Sequence, residues 1–133
     1  MSFVTADQLV AAAIGDYILQ SDWMAVTKTK RSIAAATHAL VYGLPFLFLT
    51  WDPRTLGFII GTHFVIDRWR LARYVVWVKN FLAPRSAWPP PFHECAATGY
   101  PPGRPAWLVV WLLIIADNVM HALCNAAAFH WWS

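Results

Sequence analysis

The chain has 133 residues, of which 59% are apolar and only 13% charged, with nine Trp and a net charge of +3. An ordinary water-solvated domain keeps about a quarter of its residues charged, so most of this chain's surface must face another solvent, and lipid is the obvious one. The length allows one domain. Nucleic acid is excluded as a partner, because the basic residues are interleaved with Trp, Tyr and Leu that a soluble domain could not expose.

Four segments have helical length and apolar content. The first spans about residues 3–24 and carries Asp7, Asp16, Gln20 and Asp22. It has neither a basic n-region nor a small-residue cleavage site, so it is expected to be retained rather than removed as a signal peptide. Thr27-Lys28-Thr29-Lys30 joins it to a second segment, about 31–51, which contains His38. Asp52-Pro53-Arg54 then makes a tight turn, since Pro53 stops one helix and can start the next.

The third segment, about 55–82, is apolar up to Ile66 and afterwards basic and aromatic, through Arg68, Trp69, Arg70, Arg73, Tyr74, Trp77 and Lys79. Cations do not belong in hydrocarbon, so a bend near Asp67 is expected, with the remainder lying in the interface. Arg68, Arg70, Arg73, Trp69 and Trp77 are then the candidates for contact with lipid or a partner. Gly57-x-x-x-Gly61 offers a small-residue packing face for a neighbouring helix or a second copy. Residues 84–104, with Pro84, the Pro89-Pro90-Pro91 run, Pro101 and Pro102, read as a long surface loop without regular structure. The last segment, about 105–132, holds the purest apolar run, WLVVWLLIIA. Cys95 and Cys124 form neither a disulfide framework nor a zinc spacing.

A bilayer core takes about 20 helical residues, which each segment can supply with some tilt. Alternating strands are absent, and lipid leaves only helices or closed barrels. The expected fold is therefore all-α, a four-helix transmembrane bundle. Every Lys and Arg except Arg54 falls in the turn after the first segment, or at the end of the third and in the loop that follows it. The positive-inside rule puts those regions in the cytoplasm and both termini outside.

Inside the bundle the sequence is more specific. Asp16, His38, His63, Asp67, Asp117 and His121 are distributed over all four helices. Ionisable groups in membrane helices cost at least a few kcal/mol each, so they pair, face inward and mark function. His63-x-x-x-Asp67 and Asp117-x-x-x-His121 each place both side chains on one helix face. With the two helices antiparallel, Asp comes level with Asp and His with His. At about 1.5 Å per residue the four helices hold these groups about 18–22 Å from their outer ends, as one interior polar layer. Such a layer suits a divalent metal (Zn, Mn or Fe) able to activate water, with no other cofactor expected. It equally suits a proton or solute path, or hydrogen bonds that merely hold the helices together.

The strings GDYILQSDWMA, His38-Ala39-Leu40, GTHFVIDRWR and ADNVMHALCNAAAF resemble an uncharacterised bacterial and phage family of small four-helix membrane proteins, catalogued only as a domain of unknown function. The resemblance takes in nearly the whole chain except 84–104, through Gly15, Asp16, Gln20, Asp22, Lys30, His38, His63, Asp67, Asp117 and His121. More distantly, the chain is similar to membrane-bound metal-dependent hydrolases of bacterial inner membranes, which also carry His and Asp on short helices. The resemblance implies a multi-pass inner-membrane protein with an intramembrane polar site. Two functions follow as expectations: a metal-binding protein hydrolysing a lipid-like substrate, or a non-catalytic accessory subunit packed against other membrane subunits.

Overall fold

In the computed structural model, which describes residues 2–132, the chain is all-helical, with no strand among those residues. Six α-helices follow one another: α1 (Ala6–Ala13), α2 (Asp22–Thr27), α3 (Ser32–Gly43), α4 (Pro53–Arg68), α5 (Ala72–Lys79) and α6 (Ala106–Trp132). They pack as two compact units. The first contains everything up to Arg70 together with α6 from Met120 onward, and the second runs from Leu71 to Val119.

Three of the four expected long helices are interrupted, and each interruption has a local cause. After α1, capped by a reciprocal Thr5–Gln8 box, the backbone widens into a π-helical turn over Ile14–Ile18 and stops. The Gln20 side-chain amide donates to the Asp16 carbonyl at 3.2 Å, and Ser21 caps the restart at α2. A side chain thus takes a carbonyl that the broken helix releases. α3 tightens into a 3₁₀ turn over Leu44–Phe48, where Pro45 withholds a donor. The third segment stops at Arg68 and resumes at Ala72. Between them Arg70 is left-handed, at φ 54°, its N–H donating to the Asp67 carbonyl at 3.3 Å. The chain thus leaves its helix just beyond Asp67, where the cations begin. Only α6, among the described residues, is long and apolar enough to cross a membrane by itself.

In the first unit, Ala34, Ala35, His38, Ala39 and Tyr42 make the buried stripe of α3, with spacings of three and four. Tyr42 joins Ala11, Phe46, Ile59 and Ala128 in the core. α4 begins on Asp52, whose Oδ1 accepts the Arg54 N–H at 2.8 Å while the Arg54 guanidinium donates to Oδ2 at 2.8 Å. Beside that guanidinium the Asp52 carboxyl is held down at about 2. A Cβ built at Gly57 or Gly61 meets no atom within 4 Å, so no described part of this chain occupies that small-residue face.

In the second unit, residues 84–104 are more ordered than their prolines suggest. They form short 3₁₀ turns at Arg85–Ala87 and Phe92–Glu94 and fold onto α5. Phe92 stacks on Tyr74 at 4.6 Å, Trp77 Nε1 donates to the Pro90 carbonyl at 2.9 Å, and Arg73 donates to the Ala96 carbonyl at 2.7 Å. Gly99, at φ 89°, lies so close to the Arg73 carbonyl that a Cβ would come within 2.3 Å of it. The aromatic and cationic side chains of α5 therefore find partners in this segment.

The approach of the first segment to α3 depends on one glycine. A Cβ at Gly15 would stand 2.7 Å from Tyr42 Cδ2 and 3.0 Å from the Tyr42 Cα and carbonyl oxygen, and backbone cannot step aside. Gly15→Ala should lower stability by about 1–3 kcal/mol, read by denaturant titration in detergent; unchanged stability would show that the contact is loose.

Candidate metal centre

The residue beside Gly15 is Asp16, in the π-helical turn, and this packing delivers its carboxylate to α3. Such turns are frequent at functional sites because the extra residue redirects a side chain. Asp16 Oδ1 stands 3.2 Å from His38 Nε2 and 3.5 Å from His63 Nε2. The two Nε2 atoms are themselves 2.8 Å apart. From α4, Asp67 Oδ2 approaches the same pair, 3.1 Å from His63 Nε2 and 3.4 Å from His38 Nε2. His121 Nε2 lies 3.1 Å from the other oxygen, Asp67 Oδ1. His38, His63, Asp67 and His121 are buried, and Asp16 is half-buried.

The rings are positioned by stacking. His63 lies between Tyr42, at 3.7 Å, and His121, at 4.0 Å, while the Tyr42 hydroxyl accepts from Asn125 Nδ2 at 2.8 Å. The Nδ1 atoms of His38 and His63 have no hydrogen-bond partner, so stacking and helix packing must orient both imidazoles.

Electron pairs are crowded at the centre of this arrangement. The 2.8 Å line between the Nε2 atoms has room for one proton at most, so at least one nitrogen turns a lone pair toward the other. Two carboxylate oxygens converge on the same edge. Such a convergence of donor atoms attracts a cation. Ligands about 2.0–2.2 Å from one metal stand about 2.8–3.6 Å apart along tetrahedral or octahedral cis edges. The five separations given above among Asp16, His38, His63 and Asp67 run from 2.8 to 3.5 Å. Two overlapping groups can hold a metal: Asp16 with His38 and His63, and His63 with Asp67 and His121. Nitrogen and oxygen donors in this mixture suit zinc, manganese or iron.

Five of the six expected ligands are therefore brought together. Asp117 is half-buried and enters neither group. Of the expected register, His comes level with His: His121 stacks on His63, and its Nε2 also meets Asp67 Oδ1. An Asp–His contact at that depth is favourable, whereas apposed carboxylates repel. Among the residues expected to contact lipid or a partner, Arg68 donates to Ser32 Oγ at 3.2 Å and to the Thr29 carbonyl at 3.1 Å. Arg73 and Trp77 bind the loop carbonyls described above, and Trp69 is exposed. Lys28 was missed as a site residue; its ammonium is 2.9 Å from Asp67 Oδ2. Tyr42 and Asn125 were missed too, although each stands four residues after a cluster histidine and so on its face.

Removing the anion at the heart of this set should be severe. Asp67→Asn leaves Lys28 without its counter-ion and is expected to cost about 3–5 kcal/mol, whereas the exposed Glu94→Gln should stay within about 0.5 kcal/mol. Equal losses in chemical unfolding would mean that Asp67 is not the keystone.

No curated protein and no solved structure matches the chain. A family model, Protein of unknown function (DUF3307), matches residues 4–88, a stretch that holds Asp16, Lys28, His38, His63 and Asp67 and ends before His121. By that match over more than half of its length, the chain belongs to the DUF3307 family.

Proposed function

We propose that this protein is embedded in the bacterial inner membrane as a four-helix bundle and holds a divalent metal centre that hydrolyses a lipid-like substrate. The observation that carries the membrane part is the inverted distribution of polarity. Gln8, His38, Thr55, His63, Asp67, His121 and Asn125 are buried, while Val10, Ile18, Ile33, Leu40, Phe48, Trp107 and Trp111 are exposed. In water that arrangement is unfavourable on both counts; in lipid it is favourable on both. α6 crosses alone, and the interrupted helices are tolerated because their released backbone groups are satisfied inside protein. Both termini face outward and 84–104 faces the cytoplasm, as the placement of Lys and Arg indicates.

The metal part rests on the four donor atoms around the His38–His63 edge. Asp16, His38, His63 and Asp67 are the ligands, and His121 orients Asp67 from behind, as outer histidines and carboxylates do for each other at metal sites. A metal held there supplies Lewis acidity and a water of lowered pKa, which is the chemistry of ester hydrolysis. The accessory-subunit reading draws on the bare α6 face with Trp107 and Trp111 and on the open Gly57–Gly61 face. Lipid covers such faces equally well, whereas interhelical hydrogen bonding alone needs no converging lone pairs.

Protein purified in maltoside should retain about one zinc, manganese or iron per chain after dialysis against a weak chelator, and His38→Ala with His63→Ala should retain none. Wild type without metal after loading would leave only the accessory reading. For orientation, Cys95 is a poor reporter because it is buried within its unit. A cysteine at the exposed Ser86 should resist an impermeant maleimide in intact cells and react in inverted vesicles; labelling from outside would reverse the topology.

A further inference from the structure

Lys28 forms an ion pair with a carboxylate of the cluster, at 2.9 Å from Asp67 Oδ2. A cation beside a metal ligand is electrostatically opposed to the metal itself. With a divalent ion among neutral imidazoles, Asp16 and Asp67 balance the ion, and the Lys28 ammonium leaves one positive charge uncompensated. At low dielectric that charge demands an anion. The metal's own hydroxide or the anionic group of a substrate can supply it.

Where Lys28 lies suggests which. Its side chain is 17% exposed, against 2% for Asp67, so it runs from the cluster toward the surface. It caps the C-terminal end of α2, and Arg68 holds the following turn through the Thr29 carbonyl and Ser32 Oγ. Lys30 and Arg31 are exposed on the same turn. An anion entering past this turn meets cations throughout. A metal about 2.0–2.2 Å from Asp67 Oδ2 lies within about 5 Å of the Lys28 nitrogen. A tetrahedral phosphate can give one oxygen to the metal and another to the ammonium across such a gap, and lysine serves phosphate as a point charge.

We propose that the centre binds the phosphate group of its substrate between the metal and Lys28, so that the substrate is a phosphate ester. This rests on the metal-centre reading above. The phosphate belongs either to a lipid head group or to a small soluble ester, and the chemistry at Lys28 is the same for both.

The full chain, loaded with Mn²⁺ in phosphate-free maltoside micelles, provides the test, because bound Mn²⁺ relaxes the ³¹P signal of nearby phosphate. Metal content is measured separately in every sample, so failure to load refutes the metal centre, whereas loading without phosphate relaxation refutes only the present proposal. Wild type should relax inorganic phosphate saturably. Lys28→Gln should retain its metal and weaken phosphate about tenfold or more, Lys28→Arg should restore most of the affinity, and Lys30→Gln should change it little. Circular dichroism establishes that each variant is folded. Tighter binding of a short-chain phosphatidic acid than of inorganic phosphate identifies a lipid head group as the source, and equal binding identifies a soluble ester. Unchanged phosphate affinity in Lys28→Gln, or competition by acetate as strong as by phosphate, would overturn the proposal.

Discussion

Two imidazole nitrogens 2.8 Å apart, both on buried rings, are the constraint around which the first unit is organised. Left alone, that contact strands lone pairs in an apolar interior, where an unmet polar group costs several kcal/mol. Every surrounding feature answers it. Asp16 arrives through a π-helical turn that only Gly15 lets approach Tyr42. Asp67 comes from the same face of α4 as His63, one turn later. Tyr42 and His121 clamp the His63 ring from both sides, and Asn125 fixes Tyr42 in turn.

Outside this cluster the chemistry is reversed. The outer face of α3 presents Ile33 and Leu40, continued by Leu44 in the 3₁₀ turn, and that of α1 presents Leu9 and Val10, while Gln8 is turned inward. That distribution, with polar groups within and apolar ones outside, is the observation on which the proposed membrane setting rests. The interruptions that shorten α1, α3 and α4 are the local cost of bringing side chains from separate helices to one point. They are held by Gln20, Ser21, Pro45 and the Arg70 backbone rather than left open.

The helical class was legible because apolar content and helix length dominate this composition. The cluster was legible because His and Asp are rare inside apolar segments, and His63 and Asp67 share a face by spacing alone. The level of Asp16 with His38 followed from counting residues across a short hairpin. The break beyond Asp67 falls where the change from apolar to basic residues marked it, and Pro45 stands at the one after Gly43. The break near Leu19 was not legible, since nothing in the residues just before it distinguishes them from ones that continue a helix. Lys28 was hidden among the basic residues of a turn, where a single ion pair leaves no pattern. The stacking of His121 on His63 keeps the expected pairing of His with His, while i, i+4 spacing, which fixes a face and nothing more, is not enough to bring Asp117 into either donor group.

X-ray absorption of the zinc-loaded protein reads the proposed centre most directly. Two imidazoles and oxygen ligands at about 2.0–2.1 Å, without sulfur, are the expected first shell, and the imidazole scattering should disappear in the His38→Ala, His63→Ala double variant. A sulfur ligand from Cys124 or Cys95, or a shell with no imidazole in the wild type, would contradict a metal held between His38 and His63.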